Sequence, residues 1–307
     1  MSGPVRPRLE GVIPPLVTPL RSRDELDAPA LRRVIDHVIE GGVHGVFLLG
    51  TTGEGPHLSK SLQRAAVVEG CRAVGGRVPV LVNITDASLV ESLKLAEIAA
   101  SAGAAAVTLS PPFYAPLSQD EVVRHCRELA RELPLPFVLY NIPSHAHNEY
   151  SLESIRRLAE LPNCLGIKDS SARLEFLLTL VREFAHRDDY VVLAGPEEFL
   201  MDSVLAGGHG GVSGGANLYP SLYVALYNAA KARDFELALE LHNRVLAVAQ
   251  RIYSVCGYLR ALKCALEEAG LCSALPAEPL CVPGEAERTR IRTALEELSI
   301  PRYTATV

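Results

Sequence analysis

A lysine at the end of a short apolar run is the residue in this sequence best suited to covalent chemistry. The run, N-C-L-G-I-K-D-S-S at residues 163–171, follows a proline and ends in polar residues. Such a run predicts a buried strand, on which Gly166 and Lys168 share one face. Leu165 and Ile167 then share the other face. A lysine that faces a packed interior has a lowered pKa, and its neutral amine can attack a carbonyl carbon to form a Schiff base. The alternative is a structural lysine whose ammonium group reaches water.

Polar side chains follow other apolar runs, where each predicted strand ends. Thr51 and Thr52 stand in a glycine-framed turn, G-T-T-G-E-G, whose backbone N–H groups can hold an anion. An ordinary turn is the alternative. Tyr140 begins Y-N-I-P and is expected to face the interior, like Lys168. Its phenol can then pass protons to and from a carbinolamine, although a buried structural tyrosine is the alternative.

Three more segments have both a functional and a structural interpretation. Tyr114 follows S-P-P-F and either presents a phenol to a site or packs as an aromatic lid. Glu197 and Glu198 either accept hydrogen bonds from substrate hydroxyls or cap the helix that follows. The glycine-rich segment 207–215 is typical of phosphate loops, but no lysine or arginine lies between positions 187 and 231. We therefore do not expect a phosphate site.

A repeated strand and helix pattern positions these residues. Apolar runs predict eight strands, at residues 12–17, 46–49, 78–83, 106–109, 137–140, 165–168, 191–193 and 210–213. Capping residues predict helix starts after the first four strands, at Asp27, Ser59, Ser88 and Ser118. Eight such units predict an α/β fold, a closed (β/α)₈ TIM barrel, with its chemistry where the strands end. An open doubly wound sheet is the alternative, but no G-x-G-x-x-G follows the first strand.

Only helical patterns follow the predicted strands. They lie at residues 221–231, 235–253, 258–269 and 285–298. The first can serve as the eighth barrel helix. We therefore expect a barrel with the catalytic site at residues 1–233 and a C-terminal helical region at residues 234–307, packed on the barrel.

Composition excludes several classes of protein. The 307 residues are 48% apolar and 21% charged, without an apolar run of membrane-spanning length. The net charge of −6 argues against nucleic acid as a partner. The first nine residues hold no apolar stretch typical of a signal peptide, so we expect a cytoplasmic protein. The seven cysteines show no C-x-x-C spacing, and the nine histidines show no metal-binding pattern, so neither a disulfide framework nor a metal is expected.

Three motifs together resemble the dihydrodipicolinate synthase and N-acetylneuraminate lyase family. They are G-T-T-G-E at residues 50–54, Y-N-I-P at 140–143 and G-I-K-D-S at 166–170. The resemblance covers the whole chain and implies a TIM barrel with a C-terminal helical extension, assembled as a homotetramer (a dimer of dimers). It also implies a cofactor-free lyase, an aldolase or dehydratase, whose lysine forms a Schiff base with pyruvate or another 2-oxo acid.

The resemblance implies roles for individual residues. Lys168 would be the Schiff-base lysine and Tyr140 the proton-shuttling phenol. Thr51 would link Tyr140 to Tyr114, which in tetrameric relatives comes from the neighbouring subunit. Thr51 and Thr52 would also hold the carboxylate of the 2-oxo acid. Backbone near two further residues would lie beside the lysine, at Gly195 and Val212.

The sequence departs from the family pattern after the Y-N-I-P motif. Dihydrodipicolinate synthases have an arginine there, followed by Thr-Gly, whereas this chain has His145, Ala146 and His147. That arginine grips the carboxylate of aspartate semialdehyde, and a neutral histidine cannot supply the same bidentate contact. We therefore expect a hydroxylated 2-oxo acid as substrate, with His145 and Glu197 among the side chains that bind it. A true dihydrodipicolinate synthase and a non-catalytic barrel that only binds a sugar acid are the alternatives.

Overall fold

The strands and helices alternate along the chain in the computed structural model, which describes residues 7–300. The strands are β1 (Gly11–Val12), β2 (Leu20–Ser22), β3 (Glu25–Leu26), β4 (Val46–Leu48), β5 (Val80–Asn83), β6 (Ala106–Leu109), β7 (Phe137–Asn141), β8 (Cys164–Asp169), β9 (Val191–Ala194) and β10 (Gly210–Gly211). The first six helices are α1 (Ala28–Glu40), α2 (Lys60–Val74), α3 (Leu89–Ser101), α4 (Gln119–Glu132), α5 (Pro143–Ala146) and α6 (Leu152–Ala159). The others are α7 (Leu174–Glu183), α8 (Leu200–Leu205), α9 (Pro220–Lys231), α10 (Phe235–Arg251), α11 (Tyr258–Glu268) and α12 (Glu285–Glu297).

Eight of these strands form a closed parallel barrel. Their order in the sheet is β1-β10-β9-β8-β7-β6-β5-β4. The two edges then join, because Pro15 pairs with Phe47 in a parallel bridge. Two backbone bonds support the closure, from Leu16 N to Phe47 O (2.8 Å) and from Phe47 N to Pro14 O (3.0 Å). The predicted (β/α)₈ barrel is therefore confirmed, and the open doubly wound sheet is wrong.

The predicted helix starts are confirmed as side-chain caps. Asp27 accepts a bond from the backbone N–H of Ala30, and Ser59 accepts one from Leu62. Ser118 forms a reciprocal capping box with Glu121. Each cap satisfies a backbone donor that the first turn of a helix leaves unpaired. The first strand is shorter than predicted, since prolines at positions 14 and 15 have no N–H for the ladder. The short antiparallel hairpin of β2 and β3 was not predicted.

Strand residues alternate between two hydrophobic cores. On β7, Val138 and Tyr140 belong to an inner cluster, whereas Phe137 and Leu139 belong to a larger outer cluster shared with the helices. This is the period of two expected for a strand with packed faces. The inner cluster fills the barrel with Leu9, Ile13, Phe47, Leu81, Ala106, Val138, Tyr140, Ile142, Ala146, Leu165, Leu193 and Val212.

The strand that carries the lysine contains a bulge. Cys164 and Gly166 pair with consecutive residues of β7, so Leu165 is an extra residue in the ladder. Leu165 therefore packs in the inner cluster and Ile167 in the outer one. The expectation that these two residues share a face is wrong, because a bulge breaks the alternation. Beyond the bulge the register is regular again, and Lys168 pairs with Tyr140.

The helices after the last barrel strand share a hydrophobic core with the helices of the barrel. One continuous hydrophobic cluster contains buried residues of α1, α2, α10, α11 and α12. The expected boundary at residues 233 and 234 falls in the turn between α9 and α10 and stays a prediction. Within residues 7–300, no helix is both long and apolar enough to cross a membrane.

A buried ion pair ties the C-terminal helices to the loop after β4. Glu54 lies in that loop and Lys263 on α11, and both side chains are fully buried. The Lys263 ammonium also donates to the carbonyl oxygens of Thr18 (2.9 Å) and Leu275 (2.8 Å). The second carboxylate oxygen of Glu54 accepts from the backbone N–H of Ala277 at 2.5 Å. Both charges are thus paired and hydrogen-bonded, as buried charges must be.

We predict that Lys263→Met lowers the free energy of unfolding by about 3–5 kcal/mol, because it leaves the Glu54 carboxylate buried without its counter-charge. Urea denaturation followed by circular dichroism measures the change. Lys94→Met is the matched control, since Lys94 is exposed and pairs with Glu91 on the surface. Lys94→Met should lower the free energy of unfolding by about 1 kcal/mol at most. Equal losses in the two variants would contradict the structural role of the buried pair.

Candidate active site

Adjacent strands bring Lys168 and Tyr140 together. The two residues are register partners on β8 and β7, and Lys168 is only 5% exposed. Its Nζ lies 3.8 Å from the centroid of the Tyr140 ring and 4.9 Å from that of Phe47. Phe47 packs edge-on against Tyr140, with the ring centroids 5.9 Å apart. The lysine amine thus lies over aromatic faces inside the barrel, and the alternative in which its ammonium group reaches water is wrong.

The pKa of the Lys168 amine depends mainly on its burial. Removal from water lowers the pKa of Lys168, and this effect exceeds the opposing interactions with Tyr140. A lowered pKa makes more of the neutral amine available at a given pH. The neutral form is the one that can attack a carbonyl carbon.

The loop after β4 places two hydroxyls at this site. Thr51 Oγ lies 3.1 Å from the Tyr140 hydroxyl, and Thr52 Oγ lies 2.9 Å from that of Tyr258. The loop is flanked by non-glycine residues with left-handed backbone, Leu49 (φ 59°) and Glu54 (φ 57°). Such conformations persist where the surroundings over-determine them. The buried Glu54 carboxylate supplies that restraint.

Tyr114 lies outside the site of its own chain. It stands in the loop between β6 and α4, and it is 89% exposed. Within residues 7–300 its hydroxyl makes no hydrogen bond, so one chain holds the Thr51–Tyr140 contact but not the link to Tyr114. Entry of Tyr114 from a neighbouring subunit stays a prediction.

Gly195 and Val212 lie at the ends of the strands that follow β8. Gly195 N donates to Asp169 O and Val212 N to Ala194 O, each at 2.7 Å. The sheet uses both N–H groups, and neither residue is among those that line the cavity beside Tyr140. The Val212 side chain packs in the inner cluster. Gly195 must be a glycine, because a Cβ there would lie 1.9 Å from Ser170 Oγ.

Gly166 is explained by the close approach of two strands. Its φ is 156°, and a Cβ would lie 2.1 Å from the carbonyl oxygen of Val191 on β9. No side chain fits at that distance, so glycine is required where β8 and β9 pair.

Both oxygens of the Glu197 carboxylate accept hydrogen bonds from groups of the protein itself. One oxygen accepts from Gly215 N (2.7 Å) and the other from the Tyr223 hydroxyl (2.8 Å). Burial raises the pKa of Glu197, and these two bonds oppose the rise. The geometry therefore gives no support to substrate binding by Glu197, nor to capping of the helix that follows it. Glu198 is exposed.

A cavity of about 340 Å³ opens beside Tyr140. Eleven residues line it: Thr51, Pro56, His57, Asn83, Thr85, Ser110, Phe113, Tyr140, Ile142, His145 and Ala146. Its volume lies in the range typical of small-molecule sites, roughly 300–1,000 Å³. No lysine or arginine is among these described lining residues.

His145 lies on α5 and lines this cavity, and its role in substrate binding stays a prediction. Its Nδ1 is 2.9 Å from the Ser144 hydroxyl. Burial is the main cause that lowers the pKa of His145, and electrostatic interactions with His57, His147 and Lys168 add to it. The lowered pKa favours the neutral form of His145, and a neutral imidazole cannot supply the bidentate contact of an arginine.

Several residues at the site carry no clear sequence signal. Phe47 lies in the middle of a strand, and Tyr258 lies 206 positions beyond its partner Thr52. Ser110 directly follows β6, and Thr85 lies two residues after the end of β5. Functional residues are expected at such strand ends, and this position is the one signal in the sequence for these two residues.

The dihydrodipicolinate synthetase family model matches residues 8–298 of this sequence. The chain belongs to the dihydrodipicolinate synthetase family. It is a lyase similar to dihydrodipicolinate synthase, with the Schiff-base chemistry of that family, so the predicted class is confirmed.

Solved structures and a curated relative agree with this assignment. The chain is 45% identical to dihydrodipicolinate synthase from Bacteroides thetaiotaomicron, with a TM-score of 0.92 over 94% of this chain and 98% of the other. It is 27% identical to YagE, a prophage protein of the same family from E. coli K12 whose crystal structure contains pyruvate (TM-score 0.90, 95% and 99% covered). It is 35% identical over 292 residues to an uncharacterized DapA-like lyase from Halobacterium salinarum, covering 95% of each chain.

We predict that burial of Lys168 makes folding stability depend on pH. Because its pKa is lowered in the folded state, the unfolded chain binds more protons between that value and about 10.4, the ordinary value for lysine. The contribution of Lys168 to the free energy of unfolding therefore rises with pH through that window, and it is lowest at pH values below the window. Lys168→Met removes the effect.

Urea denaturation of both proteins across pH 6–10 tests this. The variant should be more stable than the wild-type protein at low pH, and the difference should shrink as pH rises. A difference that stays constant across the range would show that the Lys168 amine is solvated like an ordinary lysine.

Proposed function

We propose that this protein forms a Schiff base between Lys168 and pyruvate or a hydroxylated 2-oxo acid, and uses it to cleave a carbon–carbon bond or eliminate water. The observation that carries the proposal is the buried Lys168 amine over the ring of Tyr140, whose hydroxyl contacts Thr51. The pyruvate in the crystal structure of YagE supports this substrate class.

The proposed reaction begins with attack of the neutral Lys168 amine on the C2 carbonyl of the 2-oxo acid. Tyr140 passes a proton to the carbinolamine hydroxyl, which leaves as water and yields a protonated imine. Thr51 holds the Tyr140 hydroxyl in place, and together with Thr52 it binds the carboxylate of the 2-oxo acid. The imine accepts the electron pair released when the C3–C4 bond of a 4-hydroxy acid breaks, while the 4-hydroxyl gives its proton to the Tyr140 phenolate and becomes an aldehyde. Hydrolysis of the resulting enamine returns the amine and pyruvate.

A hydroxylated 2-oxo acid fits the cavity better than aspartate semialdehyde. The described lining has hydroxyl and amide groups and two histidines, among them His145 with its lowered pKa, but no lysine or arginine for a second carboxylate. Condensation of pyruvate with aspartate semialdehyde is the second candidate, favoured by the 45% identity to a dihydrodipicolinate synthase. A barrel that only binds a sugar acid is disfavoured, because simple binding needs no buried amine.

We predict that hydroxylated 2-oxo acids are cleaved with higher kcat/KM than that for pyruvate condensation with aspartate semialdehyde. A lyase screen coupled to pyruvate detection, run beside the condensation assay, measures both. If kcat/KM for the condensation exceeded kcat/KM for every hydroxy acid tested, the synthase candidate would be correct.

We further propose a cytoplasmic homotetramer in which Tyr114 enters the site of a neighbouring subunit. Its 89% exposure within one chain supports this, because a phenol that faces solvent is available to a partner. A fully active monomer in sedimentation and dilution experiments would rule this assembly out.

We predict that borohydride reduction in the presence of pyruvate adds one reduced pyruvyl group, at Lys168. Peptide mass spectrometry locates the adduct. Lys263 is an internal control, because it is just as buried but is paired with Glu54 and hydrogen-bonded to two carbonyl oxygens. It should stay unmodified, since a paired ammonium is no nucleophile. The absence of an adduct at Lys168 would refute the proposed mechanism.

We predict that Tyr140→Phe reduces turnover by roughly 10² or more, as expected for loss of a proton-transferring group. The fold should be retained, since only a hydroxyl is removed from the ring. Tyr219→Phe is the matched control, because that hydroxyl contacts Arg244 away from the cavity. Steady-state kinetics with the best substrate of the screen measure both variants. Full turnover by Tyr140→Phe would exclude this phenol from proton transfer.

A further inference from the structure

One wall of the cavity is a hydrogen-bonded network at the ends of β5 and β6. Asn83 Oδ1 accepts from the hydroxyls of Thr85 (2.9 Å) and Thr108 (3.1 Å). Asn83 Nδ2 donates to the carbonyl oxygen of Leu49 at 3.2 Å. Thr85 Oγ in turn accepts from the backbone N–H of Ser110 at 2.8 Å. The Thr85 side chain is therefore held in one orientation, although it lies in a loop.

The network leaves a specific set of free donors and acceptors. A hydroxyl offers one donor and two acceptor positions. Thr85 uses its donor on Asn83 and one acceptor on Ser110 N, so one acceptor remains. Within residues 7–300 the Ser110 hydroxyl makes no hydrogen bond, although Ser110 is only 9% exposed and lines the cavity. Ser110 can therefore donate and accept.

The free hydrogen-bonding positions of Ser110 and Thr85 match an alcohol group of a ligand better than they match other polar ligand groups. A ligand hydroxyl can accept from Ser110 and donate to Thr85 at the same time. A carboxylate only accepts, so it would use one donor and find no lysine or arginine in the described lining. Burying a carboxylate without a counter-charge is strongly unfavourable.

The size of the cavity leaves room for such a group. About 340 Å³ is far more than the three carbons of pyruvate fill, and Ser110 and Thr85 line the same cavity as Tyr140. A longer substrate that extends past Tyr140 into this cavity would therefore contact the polar wall.

We propose that Ser110 and Thr85 form a subsite for an uncharged hydroxyl group on the part of the substrate that does not become pyruvate. The inference rests on the proposed function, and it narrows the substrate class to 2-oxo acids with a neutral polyol end. Acids with a second carboxylate at that end are disfavoured, because the described lining holds no lysine or arginine. Ser110 and Thr85 are then residues that determine specificity, while the covalent step belongs to Lys168.

The test compares substrates that differ only at the distal end. 2-Keto-3-deoxygluconate has hydroxyls at C4, C5 and C6, whereas 4-hydroxy-2-oxohexanoate has only the C4 hydroxyl needed for cleavage. Both release pyruvate, so one coupled assay gives kcat/KM for each. The wild-type enzyme should prefer the polyol at least fivefold, and Ser110→Ala should reduce that preference about fivefold, the value of one neutral hydrogen bond. A general loss of activity cancels in the ratio.

Two further measurements complete the design. Thr85→Val should also reduce the preference, whereas Ser101→Ala, on the surface of α3, should leave the ratio at its wild-type value. 4-Hydroxy-2-oxoglutarate, which ends in a carboxylate, should be cleaved with lower kcat/KM than the polyol at pH 8.

The possible outcomes distinguish a failure of the proposed subsite from a failure of the proposed Schiff-base chemistry. An unchanged ratio in Ser110→Ala, no preference in the wild-type enzyme, or a preference for the dicarboxylate would overturn the subsite. Borohydride trapping of pyruvate in the wild-type enzyme reports on the Schiff base alone. An adduct together with any of those results would refute only the subsite, whereas no adduct would refute the proposed function itself.

Discussion

The buried pair of Glu54 and Lys263 is the constraint on which the geometry of the site depends. Glu54 ends the loop that carries Thr51 and Thr52, and Lys263 lies more than 200 residues later, on α11. Two ions without water are tolerated only when every charge and donor is matched, so the pair fixes the distance between the loop and the helix. The hydrogen bond from Thr52 to Tyr258, on the same helix, adds a second restraint. The C-terminal helices are therefore part of the active-site scaffold.

Two buried lysines in one protein show how surroundings decide function. Lys263 faces a carboxylate and two carbonyl oxygens, which stabilise its charged form. Lys168 faces aromatic rings and aliphatic side chains, which do not replace the lost hydration, so its pKa falls. Burial alone does not distinguish a reactive lysine from a structural one. The difference lies in the groups around each amine.

Patterns in the sequence predicted the structural features that depend on residues close together in the chain. Caps such as Ser118 and the apolar run that ends at Lys168 follow from short-range chemistry, and the barrel follows from their repetition. The partner of Glu54, the role of Tyr258 and the occupied carboxylate of Glu197 depend on contacts between distant segments. The bulge at Leu165 escaped prediction for another reason, because an extra residue in a strand leaves no mark in an apolar run.

The composition of the inner cluster has a consequence for the surroundings of the Lys168 amine. Of its twelve side chains, only Tyr140 carries a hydrogen-bonding group, and Leu165, the extra residue of the bulge, adds another apolar side chain to it. Buried polar side chains lie beside this cluster as well, because Asn83 and Thr108 stand on β5 and β6 and are hydrogen-bonded to each other at 3.1 Å. The polar contact of Tyr140 itself is with Thr51, in the loop after β4. The surroundings of the Lys168 amine are therefore linked to whatever occupies the cavity beside Tyr140.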